Sequence, residues 1–376
     1  MKLKRVLIVG GGPSGSSCGI TCSRGGLETI VFEKGNPYRD KACGDTIPAN
    51  QKTLANLGLI EGVKKRSFLV DSALIHGFSG ERVEIRTPMM TLQRSVFDQF
   101  LRDELESRGG KVDYGVNIKG IKISDEGVEI ADSSGLNYEG DFAVLATGAN
   151  VSLARSLGFE YSDNPVFALR TYIENVNKLN SNYFWLFRSK ANLLGYAWAF
   201  PSPGNILNVG VGTRGKDAKL KSKLENFLQD KKMILGNSET LTEPKGAPIR
   251  IGMRNALNYG SRVILVGENI NCAYDLTAEG IGPALESGYL AGRALLSFKE
   301  GGDSLKDYQD KLMRKREEFY KGYSQIANLV GSRYGNKLFL RILNNSEKMR
   351  VTFGDVIQEE KPSKNIFPMQ SLLNFL

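Results

Sequence analysis

Residues 4–33 constrain this 376-residue chain more than any other stretch, because they require a buried strand, a glycine-rich turn into a helix, and a second strand ending in an acid. Residues 4–9 form a short apolar run of buried-strand character. Gly10-Gly11-Gly12-Pro13-Ser14-Gly15 then turns into a helix reaching about Arg24, and residues 28–33 form the next strand, closed by Glu33. Each position has a physical task. Gly10 allows the tight turn, Gly12 lets the backbone approach a pyrophosphate, and Gly15 lets the helix pack closely on the strand. Unpaired N–H groups at the helix start favour phosphate, while Glu33 can accept from ribose hydroxyls. The glycines alone are a weak signal. Strand, turn, helix, strand and acid together predict a dinucleotide-binding βαβ unit.

A hydrophobic content of 41% suffices for a large core or two intertwined domains. Cys18, Cys22, Cys43 and Cys272 have no C-x-x-C spacing, and His76 is the one histidine, which leaves too little for a thiolate and imidazole metal site. Reduced cysteines and a cytoplasmic location are expected. Glycine interrupts the first apolar run too early for a signal peptide, and no run reaches the ~18 apolar residues of a spanning helix. The chain is therefore expected to be soluble or peripheral at a membrane surface. Its formal charge is +9, and residues 293–350, with 13 basic and 7 acidic side chains, carry +6 of it. That surface suits a solvated helical face, anionic lipid or a diphosphate. Nucleic acid is disfavoured, since no helix-turn-helix or zinc pattern accompanies the charge.

Further along, residues 36–50 are polar and irregular, and Ser79-Gly80 marks a turn between strands at 74–78 and 82–86. Residues 93–108 have helical periodicity, and short strands then lead to a buried strand at 141–146 and the turn Thr147-Gly148. From 151 to 251 the sequence is aromatic and strand-rich, with a covering helix at 216–232. Residues 262–266 return to buried-strand character, followed by a loop at Gly267-Glu268 and a helix at 280–298. After Asp303 a helical stripe of Leu305, Tyr308, Leu312, Phe319, Tyr323, Ile326 and Val330 is expected to pack on the body or rest on lipid, and the tail at 366–368 and 372–376 is apolar.

Tyr196-Ala197-Trp198-Ala199-Phe200-Pro201 places three large rings on one face of a strand, because side chains alternate across the pleat. Tyr183, Trp185 and Phe187 form a second alternating face. Such faces make either a core strand or a flat-walled apolar cavity. Gly210-Val211-Gly212-Thr213-Arg214-Gly215 follows, but no strand ending in an acid succeeds it, so it reads as the partner of the aromatic strand and not as a second nucleotide site.

With these elements the chain resembles the geranylgeranyl reductase family of flavoproteins, within the p-hydroxybenzoate hydroxylase-like FAD fold, from Val6 to about Ser297. The YxWxFP element at 196–201 with its trailing Gly210 and Gly212 is the most specific match, and Cys43-Gly44-Asp45 matches the family's Cys-Gly-(Gly/Asp) motif. The resemblance implies an α/β chain: a Rossmann-like FAD-binding domain (1–72, 92–150 and 255–300), an inserted antiparallel β-sheet substrate domain (73–91 and 151–254), and a C-terminal helical region (301–376). It implies FAD contacts from Gly10, Gly12, Pro13, Ser14, Gly15, Glu33, Lys34, Cys43, Gly44, Asp45, Arg94, Ile118, Thr147, Gly148, Gly267, Glu268, Gly280, Ile281 and Gly282. Substrate contacts fall to Tyr183, Trp185, Tyr196, Trp198, Phe200 and Pro201. Glu268 stands where the family usually has Asp, one methylene longer, so a local shift of the loop is expected.

The implied activity is hydride transfer from reduced flavin to an isoprenoid double bond of a geranylgeranyl-type chain linked to a diphosphate, glycerolipid, chlorophyll or quinone head group. Aromatic faces would exclude water and stabilise positive charge at the tertiary carbon. Cys43 is a candidate for gating or proton delivery, beside the plainer reading of a small residue fitting tightly against the isoalloxazine. The electron donor is left open between NAD(P)H and ferredoxin. Two other readings stand beside this one. A halogenase or monooxygenase is the first, although Tyr196 and Phe200 depart from the halogenase WxWxIP element and Gly267-Glu268-Asn269 carries no His. A non-catalytic prenyl-lipid carrier or sensor is the second.

Overall fold

The computed structural model describes residues 4–363, apart from residue 79 and residues 162–164, 177–178, 180–181, 189–194, 215–218, 237–238, 254–261 and 302–303. The apolar tail, Ser79 of the expected turn and Gly215 of the second glycine pattern lie outside the described residues.

Val6 to Ile8 are fully buried, and the strand Arg5–Val9 takes a central place because it can pair in parallel on both sides. Glu28–Glu33 lies on one side and Phe142–Leu145 on the other, with Lys111–Tyr114 and Val263–Leu265 completing a five-stranded parallel sheet. Chain segments more than 200 residues apart thus share one sheet. Helices Pro13–Arg24 and Ile281–Lys299 cross on it at close range. A Cβ at Gly288 would stand 2.0 Å from the Ser14 carbonyl oxygen, so only glycine permits that crossing.

The second sheet has eight strands in the order Lys245–Ile249, Val166–Glu174, Ile206–Arg214, Gly195–Ser202, Tyr183–Phe187, Phe68–His76, Arg82–Thr91 and Thr46–Pro48. It is mixed and not wholly antiparallel, since Tyr183–Phe187 runs parallel to Phe68–His76. Thr46–Pro48 and the start of Phe68–His76 also belong to it, so this sheet claims residues from within 1–72. Local alternation did not reveal either pairing, because both join segments distant in sequence. A three-stranded sheet of Ile118–Ile123, Val128–Asp132 and Asn137–Gly140 sits beside the first.

The C-terminal helices Ser304–Lys315, Lys321–Val330, Arg333–Asn345 and Glu347–Ile357 pack on the body. A π-helical turn, Arg316–Tyr320, joins the first two. Tyr308, Leu312, Phe319, Tyr323, Ile326 and Val330 of the expected stripe are all buried. Tyr308 donates to the Leu265 carbonyl at 2.6 Å, and Lys315 bridges Glu286 at 2.7 Å and Glu359 at 2.6 Å. No described helix is long and apolar enough to cross a membrane.

Candidate active site

A cavity of about 590 Å³ lies between the carboxyl ends of the parallel strands and one face of the eight-stranded sheet, with the C-terminal helices over it. Its position follows the rule for open α/β sheets, where ligands bind beyond the strand carboxyl ends.

At the nucleotide end, Gly10 has φ +111°, and a Cβ at Gly15 would stand 1.9 Å from the Gly10 carbonyl oxygen. Gly12 differs: its φ of −83° is ordinary, and a Cβ there would find nothing nearer than the Arg39 guanidinium at 3.9 Å. The helix beginning at Pro13 has no side-chain cap, and Gly12, Pro13 and Ser14 at its start line the cavity. Glu33 is buried at the end of its strand, where its carboxylate accepts from the backbone N–H of Gly11 (3.1 Å) and Gly35 (2.8 Å) and pairs with Arg39 at 3.0 Å. Burial opposes its ionisation, but Arg39 and the Gly35 N–H hold it below the usual glutamate range. Open backbone at Gly12, uncapped amides and a buried acid fit the pyrophosphate and ribose of a dinucleotide.

Cys43, Gly44, Asp45, Arg94, Gly148, Glu268, Gly280 and Ile281 line the adjoining part of the cavity. Arg94 is held by a two-point pair to Asp98, at 2.8 and 2.9 Å, with both residues buried. Despite burial, Arg94 and Arg39 keep Asp98 below the usual aspartate range. Glu268 accepts from the Arg250 N–H at 3.1 Å and lies 3.8 Å from Lys41, so its longer side chain is used to tie two neighbouring segments. At the start of Ile281–Lys299, Glu279 accepts from the Gly282 N–H at 2.7 Å, while burial and the nearby Glu359 push its carboxyl up to about 8. Thr147 hydrogen-bonds Asn269, and Gly267 packs beneath Ser14, so both shape the pocket from behind it.

Tyr196, Trp198 and Phe200 face the cavity, with Trp198 and Phe200 stacked at 6.1 Å between ring centroids. Phe184 meets Phe200 edge-on at 5.0 Å. Tyr183 and Trp185, expected on this wall, face the other way. Leu186 is directly opposite Trp198 and Trp185 directly opposite Ala199, and opposed residues share a face. Phe184 and Leu186 therefore line the cavity, whereas Trp185 stacks on His76 at 5.5 Å on the outer face. Pro201 also has the wrong parity and is absent from the wall. Lys34 is exposed at the strand end, and Ile118 is buried in the three-stranded sheet, neither of them against the cavity.

The family model described as pyridine nucleotide-disulphide oxidoreductase matches residues 4–183. A digeranylgeranylglycerophospholipid reductase of Methanococcus vannielii is 24% identical over 338 residues, covering 84% of this chain and 83% of that protein. A menaquinone reductase of Mycolicibacterium smegmatis is 27% identical over 352 residues, with 86% and 83% covered. The solved structure of a geranylgeranyl bacteriochlorophyll reductase-like protein from Thermoplasma acidophilum superposes with a TM-score of 0.81 at 20% identity, over 95% of this chain and 98% of that one. A halogenase solved in complex with phloroglucinol and FAD shares the fold at a TM-score of 0.75 and 16% identity, over 95% and 83%. This chain is an FAD-dependent oxidoreductase resembling the geranylgeranyl reductases.

Asp45 and Trp198 were expected at the site of this oxidoreductase, but Tyr172 and Asn208, which join them, escaped sequence reasoning. Asp45, one hundredth exposed, accepts at Oδ2 from the Tyr172 hydroxyl and from Asn208 Nδ2 at 2.8 Å. Asn208 Oδ1 in turn accepts from the Trp198 indole at 2.9 Å. Burial pushes the Asp45 carboxyl up to about 6 against the pull of Tyr172, Asn208, Arg170 and Arg94. Burial and the Asp45 charge also raise the Cys43 thiol. Tyr172 lies 127 residues from Asp45, and no local pattern joins them. Val330, Phe339 and Leu340 of the C-terminal helices close the cavity's apolar end. Val330 belonged to the expected stripe, whose spacing signalled burial but not what it covers, whereas Phe339 and Leu340 were not anticipated.

Proposed function

We propose that this oxidoreductase saturates C=C bonds of a geranylgeranyl-type isoprenoid chain. The observation that carries the reading is one cavity whose polar end has the form of a dinucleotide cradle and whose other end is a continuous apolar wall. That wall runs from Tyr196, Trp198 and Phe200 through Phe184 and Leu186 to Phe339 and Leu340. The relatives named for geranylgeranyl lipids and menaquinone support the same substrate class.

Gly12, Ser14 and the helix start would receive the pyrophosphate, Glu33 the ribose, and Cys43 to Asp45, Arg94, Gly148 and the Gly280–Gly282 turn the remainder of FAD. When bound and reduced, FAD supplies a hydride. The chain's own side chains hold the alkene and exclude water, and the rings beside Trp198 stabilise cationic character at the tertiary carbon. The Arg94 charge lies near Cys43 and favours its thiolate, but burial and the Asp45 charge outweigh it. The raised Cys43 thiol stays protonated at neutral pH, which suits a packing residue better than a thiolate. NAD(P)H or a ferredoxin serves as donor, and the head group is a diphosphate, lipid, chlorophyll or quinone. Work at a membrane surface in the cytoplasm fits a prenyl-lipid substrate.

The test is to load the protein with FAD, reduce it anaerobically with dithionite and add geranylgeranyl diphosphate or a geranylgeranylated lipid. Products heavier by two hydrogens per bond, formed as the flavin reoxidises, are expected. Halogenated or hydroxylated products in air would favour the halogenase or monooxygenase reading. Binding of prenyl compounds without flavin reoxidation would favour a carrier.

A further inference from the structure

Reduction of an isolated alkene needs a proton as well as a hydride; Trp198, Phe200, Phe184 and Leu186 of the apolar wall carry no acid, and the Tyr196 hydroxyl is spent on the Thr277 carbonyl at 2.6 Å. Four carboxyls line the cavity, Asp45, Glu268, Asp275 and Glu279. Glu268 accepts from the Arg250 N–H beside Lys41, and Asp275 accepts from the Ser324 hydroxyl, so both are engaged away from the aromatic wall. Glu279 caps a helix through the Gly282 N–H and lies at the helix start expected to face the flavin. Asp45 belongs to the wall itself. It follows Gly44, where a Cβ would stand 3.2 Å from the Phe200 ring and 4.0 Å from the Trp198 indole nitrogen. Its Oδ2 is anchored by Tyr172 and Asn208, and Asn208 also holds Trp198. Its other oxygen, Oδ1, is buried with no hydrogen-bond partner among the described residues. A buried carboxyl with one satisfied oxygen and one free oxygen is best accommodated when the free oxygen carries the proton. The backbone adds to this: Asp45 has φ +63°, a left-handed conformation that costs a non-glycine residue free energy.

We propose that Asp45 is the proton donor to the alkene, an inference that rests on the prenyl-reductase reading above. The π pair of the C=C bond takes the Asp45 proton at the less substituted carbon. The tertiary carbon takes the hydride, with its two electrons, from bound reduced flavin, which is thereby oxidised. Two C–H bonds form; one π bond, the Asp45 O–H bond and the bond that carried the hydride on reduced flavin are lost, and the Asp45 carboxylate regains its proton from solvent. While ionised, it keeps the hydrogen bonds from Tyr172 and Asn208. The charged and titratable groups facing it are Arg170 and Tyr172 on one strand, Arg94 on the helix Arg94–Glu106, and Cys43 two residues before it. The two arginines favour ionisation and burial opposes it, and the balance leaves a carboxyl that titrates at about 6.

The experiment compares wild type, Asp45→Asn and Glu279→Gln, each loaded with FAD, reduced with dithionite and mixed with geranylgeranyl diphosphate. Asn tolerates the left-handed backbone and keeps the size of the side chain. For Asp45→Asn, flavin reoxidation by the alkene is expected to slow about 10²-fold or more, with FAD affinity and dithionite reduction retained. Glu279→Gln disturbs the turn assigned to FAD, so it is compared at matched flavin loading, where any loss is expected to be at least about tenfold smaller than that of Asp45→Asn. In wild type the rate falls as pH rises through the Asp45 pKa, and Tyr172→Phe, which removes a hydrogen bond favouring the anion, moves that fall to higher pH. This second variant decides the matter if Asp45→Asn does not fold. A readout independent of flavin uses Trp185→Phe protein, in which Trp198 is the remaining tryptophan. Its fluorescence should titrate near 6, as the Asp45 carboxyl does, and Asp45→Asn should abolish that step. Wild-type-like reoxidation in Asp45→Asn, or the large loss appearing in Glu279→Gln instead, overturns the proposal while leaving the reductase reading intact. Failure of wild type to reoxidise with any prenyl substrate removes the reductase reading itself.

Discussion

The indole N–H of Trp198 donates to Asn208 Oδ1 at 2.9 Å, diagonally across a strand pair in which Trp198 faces Gly210 and Phe200 faces Asn208. The largest ring of the cavity wall is therefore fixed at its polar edge by a residue that also binds Asp45 and the Cys43 carbonyl. Aromatic wall and cofactor-side loop form one connected unit.

Trp198→Ala removes a nearly buried ring, at a cost of about 3–5 kcal/mol of stability. Prenyl turnover should fall while the yellow cofactor stays bound. Trp198→Phe keeps a ring but leaves Asn208 Oδ1 without its donor, costing about 1–3 kcal/mol. Denaturant melts with flavin absorbance check both. Loss of flavin together with activity in Trp198→Ala would place the ring in the cofactor site.

The two glycines after the aromatic strand are not equivalent. A Cβ at Gly210 would stand 2.2 Å from the Trp198 ring and 2.6 Å from the Leu169 carbonyl oxygen, whereas at Gly212 the nearest atoms are 3.8 Å away. Gly210→Ala should destabilise the protein by about 1–3 kcal/mol or prevent folding, and Gly212→Ala should stay within about 1 kcal/mol of wild type. Thermal melts of the pair test this ordering.

A similar contrast separates folding from cofactor binding in the first turn. Gly15→Ala meets the Gly10 carbonyl at 1.9 Å and should compromise the fold. Gly12→Ala meets nothing closer than 3.9 Å, so the free protein should fold normally, yet its Cβ would occupy the approach of the pyrophosphate. Titration with FAD should show at least tenfold weaker binding for Gly12→Ala at unchanged melting temperature. Unaltered affinity would contradict the placement of the pyrophosphate.

Glu279 makes stability depend on pH in a defined direction. Its carboxyl titrates at about 8 in the folded protein, above its ordinary 4.5, so the fold holds the proton more tightly than the unfolded chain. That contribution is fully present below 4.5 and is lost as pH rises towards 8. Glu279→Gln should therefore raise the melting temperature more at pH 8 than at pH 5. The difference should correspond to about 1–2 kcal/mol, allowing for the partial contact of this residue with cavity solvent. An equal shift at both pH values would refute the assignment.

The dinucleotide unit was legible in the sequence because its physics is local: the turn, the helix start and Glu33 lie within 30 residues of one another. The aromatic face at Tyr196, Trp198 and Phe200 was legible for the same reason, as alternation is a property of a single strand. What only the tertiary structure decided is which face of each strand looks inward and what meets it there. Tyr183 and Trp185 show the same alternation as Trp198, yet their pairing register turns them outward and brings Phe184 and Leu186 to the cavity. Asp45, Tyr172 and Asn208 meet across as many as 163 residues of chain. Periodicity determines that a segment has an apolar side, but long-range pairing alone sets its partner, and the buried carboxyl at the wall exists only once that pairing has formed.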